Sequence, residues 1–147
     1  NVRPRVNSWE STRERDVLDA EHYAYQRLAE PVTHRRIVTF NKSEGYWTVE
    51  DIFTGQAQHQ FEFFFNFDAG LDVALDGRNC ATASDASVTL TIVPVSDHKL
   101  EAHIEERWVS PAYGTRLNSS AIIYSLAAEV PLKVTFELRP VKRKLNG

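Results

Sequence analysis

Residues 58–67 carry Phe61, Phe63, Phe65 and Phe67 at every second position. A helix would scatter those four rings around its circumference, whereas an extended strand sends alternate side chains to one face. Four rings on one face need a broad apolar surface beneath them, so this run commits the chain to a layered β architecture with the rings in its core. The same period of two recurs over 32–40, 46–52, 87–93, 100–108, 121–126 and 130–138. Turn chemistry separates these runs: Asn41 to Gly45 between the first two, then Thr54 and Gly55. Pro94 is expected to end its strand or place it at a sheet edge, and Pro131 suggests an edge as well, because proline has no N–H for the ladder. The stretch 11–20 is the one helix candidate, but Val17 and Leu18 alone make a poor apolar stripe, so a polar loop or strand extension is preferred there.

Eight to ten short strands with one apolar face predict an all-β fold, an antiparallel two-sheet β-sandwich, favoured over a barrel by the hairpin spacing. No internal repeat and no linker divides residues 1–147, so a single sandwich domain is expected, with 139–147 read as a basic, mobile tail. At 147 residues and 42% hydrophobic content there is material for a sizeable core.

A net charge of -3 gives no global reason to bind nucleic acid or an anionic membrane, and no apolar run approaches the roughly 20 residues of a membrane helix. Neither partner is expected. The single cysteine, Cys80, cannot form an internal disulfide, and its turn-like surroundings favour a half-buried structural thiol. The histidines at 22, 34, 59, 98 and 103 lack zinc-site spacing, so no metal and no cofactor is expected in this chain.

The densest polar cluster is Thr33-His34-Arg35-Arg36. On a strand His34 and Arg36 share one face and Arg35 takes the other. A guanidinium fork beside an imidazole suits a carboxylate or sulfate, although a solvated strand face explains the same residues. Tyr25, between His22 and Arg27, could serve an acid/base pair, or simply pack. Asp51 is read as a strand-end carboxylate accepting turn N–H groups, and His59 as a satisfied, half-buried histidine. The stretch 108–116 has the composition of a sugar-stacking loop through Tyr113, or of a loop that Tyr113 pins to the sandwich.

In order along the chain, Glu21-His22-Tyr23-Ala24-Tyr25-Gln26-Arg27-Leu28, Pro31-Val32-Thr33-His34-Arg35-Arg36, Trp47-Thr48-Val49-Glu50-Asp51, Gly55, His59 and the phenylalanine strand resemble the C-terminal β-sandwich of the heparinase II/III-like family. Ser110-Pro111-Ala112-Tyr113-Gly114 and Val130-Pro131-Leu132-Lys133-Val134-Thr135-Phe136 look like the end of the same region. The resemblance implies an N-terminal α/α toroid partner, an anionic, uronic-acid polysaccharide as substrate, and β-elimination in the cleft between the two domains. It also implies a periplasmic or secreted, bacterial setting. The family's His-x-His-Ala-Asp and His-Asn-Thr motifs, which supply catalytic histidine and metal ligands, do not occur here, so no catalytic residue is assigned and any metal belongs to an upstream region. The expectation is a supporting domain, not catalytic by itself, with His34, Arg36, Tyr25 and Tyr113 as substrate-binding candidates. The alternative is a carbohydrate-binding or structural, interaction β-sandwich module.

Overall fold

The computed structural model describes residues 3–142. Eleven strands run through it: β1 (Arg5–Ser11), β2 (Arg15–His22), β3 (Val32–Asn41), β4 (Tyr46–Gly55), β5 (Gln58–Asn66), β6 (Asp72–Leu75), β7 (Ala81–Ser84), β8 (Val88–Val95), β9 (Glu101–Val109), β10 (Leu117–Glu129) and β11 (Leu132–Lys142). One 3-10 turn, Ala24–Arg27, joins β2 to the approach to β3. An eight-stranded antiparallel sheet in the order β1-β2-β3-β4-β11-β8-β7-β6 faces a three-stranded sheet, β5-β10-β9. The expected two-sheet sandwich is therefore the architecture found.

The phenylalanine strand behaves as its spacing demands. Phe61, Phe63 and Phe67 are buried, Phe65 is partly so, and Phe64, on the opposite parity, is exposed. From β10, Ile122, Tyr124 and Leu126 come down beside these rings, and Phe53, Val134, Phe136 and Ile92 rise from the large sheet to meet them. Tyr124 and Phe136 are completely enclosed, and the Tyr124 hydroxyl donates to the Asn79 carbonyl at 2.9 Å, so its one polar atom is matched inside the core.

The stretch 11–20 is strand, not helix: β1 and β2 form a hairpin that widens the large sheet. No β1 residue is buried, with Val6 and Trp9 both exposed.

Both proline expectations need correction. β11 begins just after Pro131 and runs between β4 and β8 at the centre of the sheet, so Pro131 belongs to the turn before it. β8 continues through Pro94 to Val95 and is also interior; β7 pairs only with Thr89 to Ile92, so beside Pro94 that flank lacks a neighbour needing an N–H. Residues 139–142 complete β11 and pair with β8, Arg139 holding Glu137 and lying over the Tyr46 ring. They are strand and not mobile tail, while 143–147 lie outside the described residues.

Candidate functional site

The β3–β4 hairpin determines which polar residues meet. The Asn41 side chain accepts the N–H groups of Ser43 and Glu44, and Gly45, at φ +71°, closes the loop where a Cβ would be strained. With Asn41 opposite Tyr46, counting back along both strands sets Arg36 directly opposite Asp51 and His34 opposite Phe53. On the other flank, β2 sets His22 opposite His34. Gly55 ends β4 against the Pro31 carbonyl, which leaves no room for a side chain.

These registers build one network. Arg36 grips Asp51 with both arms of its fork, Nε to Oδ1 at 2.7 Å and Nη2 to Oδ2 at 2.9 Å. His34 Nε2 donates to Asp51 Oδ1 at 2.6 Å, and its ring stacks on Phe53 at 4.5 Å. His34 Nδ1 and His22 Nε2 are 3.0 Å apart, and the Ala24 N–H donates to His22 Nδ1 at 3.3 Å. Only 1% of Asp51 is exposed, so it does not cap a turn as expected; it is the buried hub of this network. Burial pushes its carboxyl pKa up, but the hydrogen bonds from His34 and Arg36 and the Arg36 charge outweigh that and hold it below the ordinary range. Arg35 points to the other face, as period two requires, and makes a separate two-armed contact with Asp19 at 2.8 and 2.5 Å.

A groove of about 450 Å³ opens beside the network. It is lined by Tyr25 and Leu28 from the turn and its exit, His34 and Arg36 from β3, Phe53 from β4, and His59, Phe61 and Glu62 from β5. Three expected residues, His34, Arg36 and Tyr25, therefore come together. Tyr25 arrives there on the 3-10 turn and not on a strand, with its ring 5.2 Å from that of His22. Tyr113 does not join them: it stands fully exposed on the β9–β10 connection and pins nothing, while Arg116 covers Trp108 at 4.1 Å. His59 is half-buried and donates from Nε2 to the Gln56 carbonyl at 2.9 Å, so it is satisfied locally. Half-buried Cys80 ends the β6–β7 turn, where burial, and then Asp76, push its thiol pKa up, away from the reactive form.

Two residues named from the sequence, Asp51 and His22, prove to belong to a network that the sequence did not join them to. Asp51 was within its reach, because the hairpin register places it opposite Arg36. His22 was harder, since its role depends on where β2 pairs with β3.

The half-exposed Arg36 keeps Nη1 free of any contact with Asp51, so it can offer further N–H donors to an anion in the groove. The imidazoles cannot do the same, because their ring nitrogens are engaged with each other, with Ala24 and with Asp51. Among the described residues no three His, Cys, Asp or Glu side chains converge on one point.

Comparison with known proteins agrees with this architecture. The family profile described as heparinase II/III-like, C-terminal, matches residues 1–137. The crystal structure of heparan sulfate lyase HepC from Pedobacter heparinus is similar at 20% identity and TM-score 0.85, covering 96% of this chain and 22% of that one. The heparinase III-BT4657 gene product is similar at 18% identity and TM-score 0.79, covering 97% and 22%, and a further heparinase III structure at 12% and 0.77, covering 95% and 21%. These likenesses concern the fold, and the chain spans about a fifth of the length of each structure. No curated protein matches the sequence. With the family profile matching residues 1–137, the chain belongs to the heparinase II/III-like family and represents its C-terminal region.

Proposed function

We propose that this domain forms one wall of a β-elimination cleft in a larger polysaccharide lyase acting on uronic-acid polymers, and that it is not catalytic alone. The single observation that carries the reading is the Arg36–Asp51–His34 arrangement at the edge of an aromatic-floored groove.

Elimination from a uronate needs the carboxylate neutralised, a base for the proton beside it and an acid for the leaving oxygen. Arg36 fits the first role, for Asp51 fixes its plane and leaves Nη1 to bind the carboxylate. Tyr25 and Phe53 offer apolar faces to the sugar ring. The base and acid roles find little here: a guanidinium stays protonated, and the His22 and His34 nitrogens are committed. Tyr25 also lines the groove; in this reading it packs on the sugar ring, and the base and acid come from outside this domain, in keeping with an N-terminal α/α toroid as partner. Tyr113 is a separate stacking contact outside the groove. A periplasmic or extracellular location would suit such a substrate.

The test incubates the 147-residue chain, and separately the whole protein that contains it, with heparan, alginate and hyaluronan-like polymers while the ultraviolet absorbance of unsaturated uronate is followed. Product from the whole protein alone supports the proposal. Product from the isolated chain overturns its non-catalytic part. Silence from both, with saturable glycan binding by the chain, favours a carbohydrate-binding module instead.

A further inference from the structure

The hydrogen-bond chain through His22 permits only one arrangement of protons. Nδ1 of His22 accepts from the Ala24 N–H, so neutral His22 carries its proton on Nε2 and donates to His34 Nδ1. His34 Nδ1 therefore accepts, and its proton sits on Nε2, where Asp51 takes it. A further proton has two places to go. It can charge His22 at Nδ1, where it meets the Ala24 N–H head on. Alternatively it can charge His34 at Nδ1, which then donates to His22 Nε2 and forces the His22 proton across to Nδ1. Both routes end with a proton on His22 Nδ1, facing a donor.

We propose that His22 is a proton-operated latch: uptake of one proton by the His22–His34 pair releases Ala24 and moves the turn that carries Tyr25, reshaping one wall of the groove. The turn is held to β3 independently by Gln26, whose Nε2 donates to Thr33 Oγ1 at 2.9 Å, so it pivots and does not unfold. Tyr25 follows because its ring packs against that of His22.

The charged and titratable groups facing His22 are His34 and Arg36 from β3, Asp51 from β4 and Tyr25 from the turn. Its chain neighbour Glu21 takes the other face, where the Tyr23 hydroxyl and Arg5 engage it. Burial, and then repulsion from His34 and Arg36, set the His22 pKa below the ordinary histidine value, so the latch is closed at neutral pH and opens on acidification. Asp51 is held below the ordinary carboxylate range by His34 and Arg36. The latch is a property of this chain whether or not the groove receives a uronate.

The test is a pH titration of the 15N-labelled chain by NMR, reading the imidazole nitrogens, the Ala24 amide and the Tyr25 ring. At neutral pH His22 should show its proton on Nε2. On acidification the Ala24 amide and the Tyr25 ring should shift with one midpoint, shared with the His22 ring and lying below the ordinary histidine value. In His22→Gln that shared titration should vanish. A neutral His22 with its proton on Nδ1 would overturn the proposal, as would an Ala24 amide and Tyr25 ring that stay still while the pair titrates. Should His22→Gln fail to fold, the tautomer and the shared midpoint in the unsubstituted chain decide.

Discussion

Replacing Asp51 with asparagine preserves the side chain's size while removing its charge, which makes it the sharpest perturbation of the network. Asp51 accepts one hydrogen bond from His34 and two from Arg36 in an almost fully enclosed position. In the variant the amide oxygen can keep His34 and Arg36 Nε, but the amide nitrogen then faces Arg36 Nη2, donor against donor. A charge-assisted hydrogen bond contributes about 1.5–3 kcal/mol and a neutral one about half that, so one bond lost and two weakened amount to roughly 3–6 kcal/mol. Arg36 is half exposed and regains water, which brings the expected cost to about 3 kcal/mol. In thermal unfolding this is a fall of about 6–12 °C for a domain of this size. The pH dependence has a definite sign. The folded carboxyl titrates below the unfolded one, near 3.9, so its stabilisation is complete above about pH 4 and is lost as pH falls through the folded value. Urea unfolding of both proteins from pH 7 down to about pH 3 should therefore show the gap between them narrowing in acid. A cost under about 1 kcal/mol at pH 7, or a gap that does not narrow, would refute the assignment of Asp51 as an ionised hub.

Three further substitutions probe the frame around the site. Gly55→Ala drives a Cβ into the Pro31 carbonyl oxygen and should destabilise by about 1–3 kcal/mol in denaturant unfolding. Tyr124→Phe removes the donor to Asn79 and leaves that carbonyl unsatisfied at the core boundary, with an expected loss of about 1–2 kcal/mol in the same assay. Ser119→Ala should be neutral or stabilising by up to about 1 kcal/mol, because the buried Ser119 hydroxyl has no hydrogen-bond partner among the described residues; a clear loss of stability would mean that the oxygen is satisfied after all.

The β fold could be read from residues because period two is a local property: the rings of Phe61, Phe63 and Phe67 report the buried face without any knowledge of what covers it. The family, too, was legible, from the order of motifs around His22, His34, Asp51 and His59. Sheet order was not, because it depends on contacts far apart in sequence. Pro131 suggests an edge by its chemistry, but β11 starts just beyond it and lies at the centre of the sheet, a position no neighbouring residue announces. Arg139 to Lys142 look like a terminal charge run, and only pairing with β8 makes them strand. At the site, alternation placed His34 and Arg36 on one face. Reading strand β4 as ending near Asp51 hid the carboxylate that joins them, since β4 continues to Gly55. Tyr25 reaches the groove on a 3-10 turn whose placement depends on where β2 leaves off and β3 begins, which no single residue announces.

The central claim of the proposal is that Arg36 neutralises the substrate carboxylate, while the base and the acid come from outside this domain. Steady-state lyase kinetics of the whole protein carrying Arg36→Ala, followed by unsaturated uronate formation, test it directly. The account predicts kcat/KM lowered about tenfold or more, as expected for loss of a charge-assisted contact of roughly 1.5–3 kcal/mol, with kcat falling along with binding because charge builds on the carboxylate during elimination. An unchanged kcat/KM, in a variant that remains folded, would contradict it and remove Arg36 from the site.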